Sequence, residues 1–136
     1  MKLQTVFTRG LLVMIGMFAY FLSTAQSDDI NKLVTTALNT ANTQELVKYF
    51  NSMVDLGIPG SEDTYSKTQA KRIIDDFFIK NPVKSYKISK TGTSNDGSQF
   101  SIGKLEAGNK QFRVYYLVKK VFDKPLIHQF QIQEEK

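Results

Sequence analysis

Apolar residues follow a helical period in the first part of the chain and a strand period in the second, with the change near residue 84. Ile30, Leu33, Val34, Ala37, Leu38 and Ala41 keep the i, i+3, i+4, i+7 spacing of one buried stripe, which predicts a helix capped by Asp28 or Asp29. Asn42-Thr43 interrupts that stripe, and Thr43 is expected to cap a second, short helix from Gln44 to Phe50. Ser52 to Ile58 reads as a short strand closed by the turn pair Pro59-Gly60, with Glu62 to Tyr65 as its hairpin mate. Ser66-Lys67-Thr68-Gln69 is a capping-box signature. The third helix it opens carries Ala70, Ile73, Ile74, Phe77 and Phe78 on one face and ends at Asn81-Pro82, because a residue before proline is driven out of the helical region.

Beyond Lys84 apolar and polar residues alternate. Tyr86 and Ile88 share one parity, and Phe100 and Ile102 alternate with Ser101 and Gly103. Phe112, Val114, Tyr116 and Val118 oppose Arg113, Tyr115, Leu117 and Lys119, while Leu126, His128, Phe130 and Ile132 oppose Ile127, Gln129, Gln131 and Gln133. Turn signals at Asn95-Asp96-Gly97, Ala107-Gly108-Asn109 and Asp123-Lys124-Pro125 separate these runs. The pattern predicts an α+β domain with three helices gathered on one face of an antiparallel sheet, a short hairpin followed by a four-strand meander. Gly57, Gly92, Gly97 and Gly103 are expected bending points that would curl the sheet around a hollow.

Upstream of this domain, Lys2 and Arg9 precede an apolar run from Leu11 to Leu22, and Ser23-Thr24-Ala25 supplies small residues before a cut after Ala25. These are the three parts of a secretory signal peptide. As a membrane anchor the run falls short, since twelve helical residues rise only about 18 Å against a core of about 30 Å. The expected organisation is a signal peptide over 1–25 and one domain over 26–136, exported to a periplasmic or extracellular site with no stable membrane span after cleavage.

Composition removes several chemistries. With no cysteine, disulfides, thiolate metal sites and cysteine nucleophiles are excluded, and a single histidine excludes a two-histidine metal site. Asp75-Asp76 and Glu134-Glu135 lack calcium-loop spacing, so no metal site is expected. Gly57-x-x-Gly60 is a turn without the P-loop pattern, and no cofactor is implied. The net charge of +5 includes Lys2 and Arg9, and the remaining lysines alternate with serine and threonine or sit on outer helix faces. That is a solvated surface; no nucleic-acid partner is expected.

Several stretches carry a resemblance: Lys48-Tyr49-Phe50-Asn51 before Val54-Asp55-Leu56; Ile58-Pro59-Gly60 with Tyr65-Ser66-Lys67; Gln69-Ala70; Phe77-Phe78 before Asn81-Pro82; and Phe112-Arg113-Val114-Tyr115. With the element order they resemble the nuclear transport factor two-like superfamily, and within it a family of small exported bacterial proteins known as a domain of unknown function. The resemblance implies a cone-shaped, cystatin-like α+β fold with a strongly curved sheet. The superfamily also contains ketosteroid isomerase, whose local motifs have no match here, so the resemblance carries over no catalytic residue.

The candidate pocket residues are His128, Asp55, Tyr116, Tyr86 and Tyr49. By parity His128 faces the helices, where a histidine suits acid/base work or ligand binding, and Asp55 between Val54 and Leu56 would complete the one plausible dyad. The three tyrosines combine a flat apolar body with a hydroxyl, as small-molecule pockets require. Tyr115, Leu117 and Ile127 take the outer parity and are candidates for a homodimer interface. The expected function is an exported, non-catalytic binding or interaction domain, with a small apolar or amphipathic molecule as one partner. The alternative is a small cofactor-free isomerase, cyclase or hydrolase using the hollow.

Overall fold

The computed structural model describes residues 29–136; the expected signal peptide lies outside the described residues. Helix α1 spans Asp29–Asn39, α2 Thr43–Leu46 with a 3-10 turn Val47–Tyr49, and α3 Lys67–Lys80. The strands are β1 Phe50–Ile58, β2 Ser61–Ser66, β3 Val83–Thr93, β4 Gln99–Ala107, β5 Lys110–Val121 and β6 Lys124–Glu134. Every expected element is present, with shifted ends. Among the described residues no helix is long and apolar enough to cross a membrane.

Local chemistry sets the helix ends. The Asn42 side chain, rather than that of Thr43, caps α2 by accepting from the Glu45 amide at 3.1 Å. Thr43 is the first helical residue; it is buried, and its hydroxyl donates to Asp75 on α3. The capping box at Ser66 and Gln69 forms as expected. In α1, Val34, Ala37 and Leu38 are buried, whereas Leu33 lies at the stripe's margin and is 39% exposed.

All six strands form one sheet in the order β2-β1-β6-β5-β4-β3. The meander from β3 to β6 is antiparallel, but β1 joins β6 in parallel, a pairing that local periodicity does not report. The sheet curls where the register slips: between Val83 and Ser85, between Ile88 and Lys90, between Phe50 and Asp55, and opposite Leu117 and Val118. An unpaired extra residue sharpens the twist of its strand. The expected glycine bends are therefore corrected in part. Gly97 sits in the β3–β4 turn at φ 86°, while Gly92 and Gly103 make room for the rings of Phe100 and Tyr86.

The core fills the space between helices and sheet. Phe50, Leu56, Ile74, Tyr116, Phe130 and Ile132 are essentially fully buried in one cluster. Phe50 lies 5.5 Å from Phe130, and Tyr116 stacks on the other side of Phe130 at 6.3 Å.

Candidate functional site

The sheet presents two faces, and the candidate residues divide between them. On the inner face Tyr116 from β5 and Tyr86 from β3 are both buried. The Tyr116 hydroxyl donates to Asn31 Oδ1 at 2.7 Å, and the Ser101 hydroxyl donates to the same oxygen at 2.9 Å. One α1 side chain thereby ties two adjacent strands to the helix layer. Burial pushes the Tyr116 phenol up, only partly opposed by Ser101. Burial pushes the Tyr86 phenol up strongly as well, helped by Tyr116, and the Tyr86 hydroxyl has no hydrogen-bond partner among the described residues. The backbone beside that ring is latched to α1: Asn39 accepts from the Tyr86 amide at 2.8 Å and donates to its carbonyl at 2.9 Å. Tyr49 is half-buried against the core, its hydroxyl only 3.5 Å from Glu45.

His128 does not take its expected inward position. Val118 pairs with Ile127 and Leu117 with Gln129, so His128 is the extra residue of a bulge that inverts the parity of β6 upstream of it. Ile127 consequently turns into the core with no exposed surface, and the expectation that it lies on the outer interface is corrected. The charged groups acting on His128 are Lys119 and Asp55, which lie outside the core. Burial and then Lys119 lower its pKa below the usual histidine value, with Asp55 opposing them. His128 Nε2 is shielded and has no hydrogen-bond partner among the described residues, while Asp55 accepts from the Thr64 hydroxyl at 2.6 Å. The two members of the expected dyad are thus neighbours without a hydrogen bond, and Asp55 borders a groove of ≈ 300 Å³ on the outer side with Thr64, Gln129 and Gln131.

Tyr115 and Leu117 keep the outward parity, Tyr115 half-buried and Leu117 buried, with 9% of its surface exposed. Tyr115 stacks on Phe100 at 6.4 Å, and Leu117 pairs with Phe100 across β4 and β5. Phe100 and Ile102 also lie outward, because the inner side of β4 at Ser101 and Gly103 is taken up by Asn31 and the Tyr86 ring. The cross-strand registers place two outward rows side by side. One runs Lys90, Ile102, Tyr115, Gln131, Gly57, Glu62; the other runs Lys87, Lys104, Arg113, Gln133. Cations therefore gather over β3, β4 and β5, and the carboxylates Asp55 and Glu62 over β1 and β2. Glu106, level with Ser85 and Gln111, is the acid at the margin of the cationic side. Among the described residues no group of three or more histidine, aspartate or glutamate side chains is placed to hold a metal ion.

Sequence reasoning missed Asn31, whose only signal is a polar residue next to Ile30 in the first turn of a helix. It also missed the outward turn of Phe100 and Ile102, which depends on what occupies the other side of their strand.

A crystal structure of a DUF4783 family protein from Bacteroides ovatus is 36% identical to the chain, with a TM-score of 0.71, covering 76% of this chain and 94% of its own. A second, from Bacteroides uniformis, is 34% identical with a TM-score of 0.71, covering 77% and 96%. A nuclear transport factor two-like protein of unknown function from Cytophaga hutchinsonii shares the fold at 15% identity, with a TM-score of 0.56 over 79% of this chain and 88% of its own. No functionally curated protein matches the chain. The family model described as a domain of unknown function, DUF4783, matches residues 31–133. The chain, a nuclear transport factor two-like fold of three helices on a curled sheet, therefore belongs to the DUF4783 family.

Proposed function

We propose that the protein is an exported, non-catalytic interaction domain whose working surface is the outer face of the sheet, where a second copy of the chain docks. The observation that carries this reading is the filled interior. Phe50, Tyr116 and Phe130 pack through the space between helices and sheet with no exposed surface, so the volume an acid/base enzyme of this shape would give to its substrate is occupied by side chains. His128 and Asp55, the groups best suited to proton transfer, act on each other from outside that core.

The outer face has what a self-docking surface needs. Its centre is apolar and aromatic, with Phe100, Ile102 and Tyr115 half-buried beside the buried Leu117. Its cations lie toward β3 and its carboxylates toward β1 and β2, so a two-fold operation sets Lys87, Lys104 and Arg113 of each copy against Asp55 and Glu62 of the other. Within one chain the three cations stand in register on neighbouring strands, an unfavourable arrangement that opposing carboxylates relieve. Six strands spaced about 4.8 Å apart offer roughly 25 Å by 30 Å, close to the ~800 Å² per partner of a standard interface.

Sedimentation equilibrium tests this. A dimer is expected at micromolar concentration, weakening as salt rises and lost in Tyr115→Glu, with the monomer's circular dichroism unchanged. A chain that stays monomeric up to about 1 mM, or a dimer indifferent to Tyr115→Glu, overturns the reading.

A further inference from the structure

Three of the stretches that carry the family resemblance, far apart in sequence, meet at one place that the outer face does not use. Ile58-Pro59-Gly60 closes the β1–β2 hairpin, Phe77 and Asn81 end α3, and Phe112 opens β5; all line a cleft of ≈ 400 Å³. The cleft lies at the end of the sheet between α3 and the hairpin.

Its floor is apolar. Phe77 and Phe112 meet edge to face, with ring centroids 5.1 Å apart and planes at 80°, and Ile58 and Ile73 flank them. Gly60, at φ 87°, leaves open space where a side chain would stand. The rim is charged and evenly balanced. On the sheet side Lys110 pairs with Glu134 at 3.4 Å. On the helix side Asp76 and Lys80 lie one turn apart, the spacing that favours an ion pair, yet neither is paired with any described residue. An apolar floor beneath one unpaired anion and one unpaired cation is complementary to a molecule with an apolar body and a charge of each sign.

The spacing narrows the class. Side chains four residues apart on a helix start roughly 5–6 Å from each other. The ammonium and carboxylate of an extended dipeptide are separated by a similar distance, since one Cα-to-Cα step is about 3.8 Å and each terminus adds part of a bond length. We infer that this cleft binds short apolar peptides as zwitterions, with the carboxylate at Lys80, the ammonium at Asp76 and a side chain on the Phe77–Phe112 floor. The inference is independent of the outer-face reading, because the two surfaces share no residue named in either argument.

The experiment is a titration of the isotope-labelled protein, followed by amide chemical shifts, with four probes: phenylalanyl-leucine, its N-acetylated form, its C-terminal amide, and the doubly blocked peptide. The free dipeptide is expected to perturb the amides of Ile58, Gly60 and Ser61 and those over 73–81, 108–112 and 134. Blocking either end should weaken binding about three- to tenfold. In Lys80→Gln the acid and the amide should bind alike, and in Asp76→Asn the free and acetylated amines should bind alike. Both residues are exposed, so each variant keeps its fold. No perturbation up to about 10 mM, perturbation centred elsewhere, or equal binding of all four probes overturns the inference.

Discussion

The two faces of the sheet use the same residue types to opposite ends. Tyr116 and Tyr115 are neighbours in sequence, yet one is buried with its hydroxyl held by Asn31 and the other lies half-open, stacked on Phe100. Inside, aromatic rings fill volume and each hydroxyl needs a partner in the protein. Outside, the same rings form a platform with cations to one side and carboxylates to the other. Residue type therefore says little about role here, and strand parity says most of it.

The comparison breaks first in the interior. Phe130→Ala removes the ring between Phe50 and Tyr116, and a loss of about 3–5 kcal/mol is expected in urea unfolding, against less than about 1 kcal/mol for Tyr115→Ala outside. Comparable costs on the two faces would mean that the outer ring is also core.

A smaller pair of changes separates satisfied from unsatisfied polar groups. Asn31→Ala leaves the Tyr116 and Ser101 hydroxyls without their acceptor and should cost about 1–3 kcal/mol. Tyr86→Phe removes a hydroxyl that is already unpartnered and should raise stability by about 1 kcal/mol. Thermal unfolding of the two variants moves in opposite directions if the inner network is as described.

The smallest effect belongs to the bulge. His128 is held below the usual value near 6.5, so between that value and its native one the unfolded chain binds the proton more readily than the native protein. Its contribution to stability is complete above about pH 6.5 and is lost as pH falls through the native pKa. In His128→Gln the stability profile over the same interval should flatten by a small amount, because the imidazole is only partly buried. An unchanged profile assigns the acid sensitivity to another group, such as Asp75. There burial raises the carboxyl, but Lys71 and Thr43 outweigh it and hold it below its usual value, which places its loss of stability at lower pH.

Most of this fold is legible in the sequence because its signals are local. The Ser66–Gln69 box, the Asn81-Pro82 stop and the alternation through Phe112, Val114, Tyr116 and Val118 are each contained within one element. What local pattern misses is set from elsewhere. Strand alternation cannot reveal that an extra residue sits at His128, so Ile127 and His128 exchange sides with no mark in the sequence. Phe100 looks like core beside Ser101 until Asn31 and Tyr86 claim the inner side. Tyr86 and Tyr116 are placed correctly by parity, but whether they line a hollow or fill it depends on Phe50 and Phe130 arriving between helices and sheet.

The parallel seam between β1 and β6 has a consequence for how the domain comes into being. The first strand made has no lateral neighbour other than its own hairpin until the last strand is made, so a nascent chain halted before residue 124 holds a meander and a hairpin bridged by the helix layer alone. Cooperative folding then waits on the C-terminal segment. A truncation of β6 should leave two separate small sheets under one helix layer, a chain that lacks the single sharp unfolding transition of the whole domain.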